Sequence, residues 1–103
     1  MRMRVHIEGG VAYIPRLAKP IELDTDTLPA QDAEEIRRLV AAAHFFELPA
    51  SVGQPPIRGA ADYRRYTITV DDGTVHHTVY VTDPVTDPHL QALITFAQKH
   101  RPS

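Results

Sequence analysis

A chain of 103 residues with 43% apolar content is long enough for one domain with one hydrophobic core, and too apolar to be a disordered segment. A formal net charge of -2 leaves no basic footprint for nucleic acid, and the absence of cysteine excludes disulfides and thiol chemistry. MRMRVHIEGG contains no apolar run of signal-peptide or membrane-span length, so the expectation is a cytoplasmic chain with no membrane partner.

Residues 1 to 8 alternate, with Met1, Met3, Val5 and Ile7 on one side and Arg2, Arg4, His6 and Glu8 on the other, which predicts a half-buried strand. Gly9-Gly10 packs nothing inside a strand and reads as a turn leading into Val11 to Tyr13, hence a hairpin. Pro15 and Pro20 interrupt the second arm, which makes it an edge or bent strand, and alternation resumes from Leu17 through Ile21 and Leu23.

Ile36, Leu39, Val40 and Ala43 then recur on one face of a helix predicted over about 30 to 44. Asp32, Glu34 and Glu35 suit the positive end of its dipole, Pro29 suits its first turn, and Thr27 is a candidate cap. Pro49 stops it, with Phe45, Phe46 and Leu48 closing over the end of the core. Residues 49 to 61 read as one long loop stiffened by Pro55-Pro56, with Ile57 either a binding tip or tucked back onto the core.

From 62 to 70, Tyr66, Ile68 and Val70 share a face opposite Tyr63, Arg65, Thr67 and Thr69. Asp71-Asp72-Gly73-Thr74 is a hairpin turn, after which Val75, His77, Val79 and Val81 alternate against His76, Thr78 and Tyr80. Asp87-Pro88 opens a last helix over about 88 to 99, with Leu90, Leu93, Ile94 and Ala97 on its apolar face. The order β-β-α-β-β-α predicts a single α+β domain over 1–103. It is expected as a two-layer sandwich, a four-stranded antiparallel sheet with two helices on one face.

Chemistry is harder to find. Six histidines invite a metal site, but His76 and His77 point to opposite sheet faces and no H-E-x-x-H is present; His77 reads instead as a semi-buried, hydrogen-bonded residue. No G-x-S-x-G surrounds a serine, and Gly9-Gly10 lacks the G-x-G-x-x-G of a nucleotide site. The residues describe a non-catalytic domain, without metal or cofactor, that works through a loop-bearing surface.

Four stretches in order carry a resemblance: EGGVAYIP, then IELDTDTLPAQDAEEIRRLVAAAHFFELP, then GAADYRRYTITVDDG with HHTVYVTD, then DPHLQALITFAQ. Together they span roughly residues 2 to 98, and the combination of Gly9-Gly10, Leu28, Leu39, Phe46-Glu47-Leu48-Pro49, Asp62, Tyr66 and Leu93-Ile94 resembles the emfourin family. That resemblance implies a small bacterial protein, monomeric when free, that competitively inhibits a protealysin-like or other thermolysin-like (M4) metalloprotease. The zinc would be the protease's own. Thermolysin-like enzymes resemble one another in preferring a bulky apolar residue just after the cut bond, so the inhibitor is expected to offer one. The candidates are Leu28 with Asp24, Asp26 and Pro29; Tyr13 beside Gly9 and Gly10; and Ile57. Gly9-Gly10 is expected to place Tyr13 beside the Leu28 loop. Each has a plainer role: Leu28 as a staple on the helix entry, Tyr13 as rim packing, and the two aspartates as solvated carboxylates. The alternative is a non-inhibitory binding or structural domain of the same fold.

Overall fold

The computed structural model describes residues 1–9, 20–52, 64–82 and 85–100, with Gly9 and Arg64 described by backbone alone. In chain order these form β1 (Arg2–Gly9), β2 (Ile21–Asp24), α1 (Ala30–Ala42), a 3-10 turn (Phe45–Glu47), β3 (Ser51–Val52), β4 (Arg64–Asp71), β5 (His76–Thr82) and α2 (Pro88–Lys99). The strands make one five-stranded sheet in the order β2-β1-β4-β5-β3.

The period-2 patterning sets the register. β1 pairs antiparallel with β2 on one side and β4 on the other, and β4 pairs antiparallel with β5. One row across the sheet reads Ile21, Val5, Ile68, Val79, and all four are buried. The adjacent residues, on the other face, form the row Glu22, Arg4, Thr69, Thr78, none of them buried. The helices bury Ala33, Ile36, Leu39 and Val40 of α1 and Leu90, Leu93, Ile94, Phe96 and Ala97 of α2. All but Ala33 join the inward strand residues in one core. That continuous apolar interior is what stabilises the fold.

The helix ends are tied by polar contacts. Asp87 Oδ1 accepts from the backbone N–H of His89 (2.9 Å) and Leu90 (3.4 Å), with Pro88 at the first helical position, as the sequence predicts. His100 donates from Nδ1 to the Phe96 carbonyl at 2.9 Å, stacks on the Phe96 ring at 4.1 Å, and sets Nε2 3.5 Å from Asp32 of α1. His77 lies in the inward row yet is only half-buried; its Nε2–H donates to the Leu48 carbonyl at 2.7 Å and its ring meets Phe45 edge-on. Among the described residues, no buried side-chain nitrogen or oxygen lacks a partner.

Several expectations are corrected. The sheet has five strands and is mixed rather than four-stranded and antiparallel, because Ser51–Val52 pairs parallel with Tyr80 and Val81 inside the stretch read as a loop. Gly9 is the last rung of the β1–β4 ladder, opposite Arg64, rather than part of a turn. α1 is preceded by Pro29 with no side-chain cap; the Thr27 hydroxyl donates instead to the Asp24 carbonyl at 3.1 Å. α1 ends at Ala42, and His44 takes a left-handed conformation (φ 49°) that turns the chain into Phe45. Val75, assigned inward by alternation, is 51% exposed, because the ladder closes at Asp71–His76 before reaching it.

Ile36, fully buried on α1, tests the core. Ile36→Ala should cost about 2–5 kcal/mol, read as a lower urea midpoint at unchanged m-value, while Arg37→Ala on the exposed face should change stability by less than about 0.5 kcal/mol.

Candidate functional site

Two loops emerge at one end of the sheet. The antiparallel register places Asp24, Arg2 and Asp71 side by side, so the loop leaving β2 and the β4–β5 hairpin emerge two strand spacings apart, about 10 Å. Both loops are held by their own aspartates, which accept backbone N–H bonds in turn geometry.

In the first loop, Asp24 Oδ1 accepts from the Asp26 N–H at 2.9 Å. The Asp24 carbonyl accepts from the N–H of Thr27 (3.0 Å) and Leu28 (3.1 Å). Thr25, 6% exposed, ties this loop to the start of β1. Its N–H and hydroxyl both donate to the Met1 carbonyl, at 2.9 and 3.2 Å, and its Oγ1 accepts from the Met1 ammonium at 3.0 Å. Leu28 is partly buried and packs against the core, while Asp26, Thr27 and Pro29 face solvent.

In the hairpin, Asp71 Oδ1 accepts from the Gly73 N–H at 2.8 Å, and Asp72 Oδ1 from the N–H of Thr74 (2.8 Å) and Val75 (2.7 Å). The Asp72 N–H closes the turn on the Val75 carbonyl at 3.1 Å. Gly73 sits at φ +95°, a conformation that an L side chain would strain. Below both loops the open face holds a shallow depression of about 440 Å³ lined by Arg2, Arg4, Glu22, Asp24, Thr27, Thr69 and Asp71. Both of its arginines are paired, Arg2 Nε with Asp24 at 3.3 Å and Arg4 Nε with Glu22 at 3.5 Å.

The candidate residues are thus divided. Asp24, Asp26, Leu28 and Pro29 share one loop, whereas Gly9 lies at the far end of β1, about 23 Å from Arg2 at the rise of an extended strand. Gly10, Tyr13 and Ile57 lie outside the described residues, as does the expected placement of Tyr13 beside Leu28. Among the described residues, no three histidines, aspartates or glutamates are grouped to hold a metal ion, and no helix is long and apolar enough to cross a membrane. Thr25 is not among the candidates from sequence, and alternation makes Val75 an inward strand residue; the closing of the ladder at Asp71–His76 leaves it outside.

The turn bonds have an electrostatic consequence. The Asp26 N–H, then Arg2, hold the Asp24 carboxyl below its ordinary range; the N–H groups of Val75 and Thr74 do the same for Asp72. A folded pKa below the unfolded one gives stability that is fully present above the unfolded value and lost as pH falls through the folded value. Carboxyl-carbon NMR titration should therefore find both midpoints below those of unfolded aspartate. Arg2→Ala should raise Asp24 only in part, because the backbone bond is the larger cause, and should leave Asp72 in place.

The Emfourin family model matches residues 5–98. Among solved structures, emfourin (M4in) from Serratia proteamaculans, described as an M4 family peptidase inhibitor, is similar at 18% identity over 99% of this chain and 90% of that chain, with a TM-score of 0.38. None of the curated proteins matches. The family match spans nearly the whole described sheet and both helices, and on that ground the chain belongs to the emfourin family.

Proposed function

We propose that this chain is a protein inhibitor of a protealysin-like or other thermolysin-like (M4) metalloprotease and acts by covering the active-site cleft. The observation that carries the reading is family membership across residues 5–98. The chain does no catalysis in this reading, and the zinc is the protease's. It acts as a cytoplasmic monomer, with neither nucleic acid nor membrane as partner. The fold is read as a two-layer sandwich whose helices cover one sheet face.

The loop geometry supports the reading physically. A surface that must dock rigidly gains affinity when its loops are already ordered, because less conformational entropy is lost on binding. The Asp24–Pro29 loop has that property, its backbone fixed by bonds from Asp26, Thr27 and Leu28 to Asp24 and by Thr25 to Met1. Asp24, Asp26, Leu28 and Pro29 are the proposed contacts at this end. Gly9, Gly10, Tyr13 and Ile57 are those proposed elsewhere on the chain.

Titrating the purified chain into a thermolysin-like protease, with a short peptide substrate, should give saturable inhibition near one-to-one. Apparent KM should rise at unchanged kcat. Absence of inhibition against any such protease at micromolar concentration would refute the proposal and leave a binding domain of the same fold.

A further inference from the structure

The inhibitory reading needs an apolar side chain presented to the protease, and of the three candidates Leu28, Tyr13 and Ile57 only Leu28 lies among the described residues. Leu28 packs against the core. Among the described residues two large apolar side chains are conspicuously exposed, Val75 at 51% and Tyr80 at 47%. Tyr80 pairs with Thr67 within the open sheet face, about 13 Å along β5 from His76 at the rise of a strand. Val75 stands at the end where the two loops emerge.

An isolated exposed apolar residue is ordinary on a protein surface and needs no explanation. Val75 differs from Tyr80 in its place, beyond the end of the ladder at a hairpin tip rather than within the sheet face, and like Tyr80 it has a fixed backbone. Its N–H is bonded to Asp72 Oδ1 at 2.7 Å and its carbonyl to the Asp72 N–H at 3.1 Å, so both of its backbone groups are fixed. Its side chain is β-branched and stiff about χ1. An apolar group fixed in this way loses little freedom when a pocket takes it up, which is the economical form of a binding anchor. The loop leaving β2, three strand spacings or about 14 Å across the same end of the sheet, supplies exposed Asp26, Thr27 and Pro29.

We infer that Val75 is the apolar anchor this end of the sheet presents to the metalloprotease, with the Asp24–Pro29 loop as the rim of the same contact surface. The inference rests on the proposed inhibition. It adds the β4–β5 hairpin to the candidate anchors and leaves Leu28 a contact at the rim.

The test compares the full chain with Val75→Asp, Val75→Ile and Tyr80→Ser against a thermolysin-like protease that the unmodified chain inhibits. Thermal midpoints establish that each variant is folded. Val75→Asp should raise Ki at least tenfold, while Val75→Ile and Tyr80→Ser change it less than threefold. An unchanged Ki for folded Val75→Asp would overturn the inference and leave the inhibition standing. If the unmodified chain inhibits no such protease, the functional reading fails and this inference with it. Should Val75→Asp not fold, hydrogen exchange of the unmodified chain in the complex decides. Slowed exchange of the Gly73 to His76 amides supports the contact, and unchanged exchange overturns it.

Discussion

The register of β1 between β2 and β4 is the constraint on which the rest of the molecule depends. β1 pairs along its whole length with β4, and near its start with all of β2. Because side chains alternate with a period of two, a slip of one residue would carry Met3 and Val5 out of the core and Arg2 and Arg4 into it. The cost of burying unpaired guanidinium groups beneath the helices makes that alternative inaccessible. The same register aligns Asp24, Arg2 and Asp71 and so brings two sequence-distant loops to one end of the sheet. The geometry of the candidate surface is therefore a consequence of core packing.

Around that frame, polar groups settle how segments join without being asked to supply much stability. The ion pairs of Arg2 with Asp24 and Arg4 with Glu22 are exposed, a setting in which such pairs contribute little. The informative polar contacts are those that fix a backbone: Thr25 on Met1, Asp24 and Asp72 on their own turns, and His77 on Leu48. They bind loop to strand at the sheet margins, beside the apolar packing of Leu28 and Leu48 on the core. A surface built in this way meets a partner already shaped.

Sequence patterning revealed the parts whose signal is local. Both helices follow from Ile36, Leu39 and Val40 and from Leu90, Leu93, Ile94 and Ala97 at helical spacing, and Asp87-Pro88 marks its helix start to the residue. β4 and β5 follow from alternation on either side of Asp71-Asp72-Gly73-Thr74. What stayed hidden depends on distant partners. Ser51–Val52 is too short to show a period, and its parallel pairing is decided by β5. Gly9 carries no side chain to reveal that Arg64 pairs with it. Val75 continues the apolar alternation of β5 by one residue, and only the place where the turn closes tells that it is outside. For the site, the loop from Asp24 to Pro29 was legible from its turn residues, but the burial of Leu28 was not, since the same spacing suits a staple or a protruding tip.

The sheet's order also governs how the chain reaches its native state. Arg2 pairs with Asp71, so about two thirds of the chain lies between two residues that join at the centre of the sheet, whereas β4 and β5 meet across a short turn. Closing so large a loop is entropically unfavourable until other contacts reward it. The β4–β5 hairpin is thus the natural early nucleus, and β1 a late arrival that needs a waiting partner. Until β1 docks, one edge of β4 stays open to other chains, which makes the interval before docking the molecule's period of greatest exposure to aggregation.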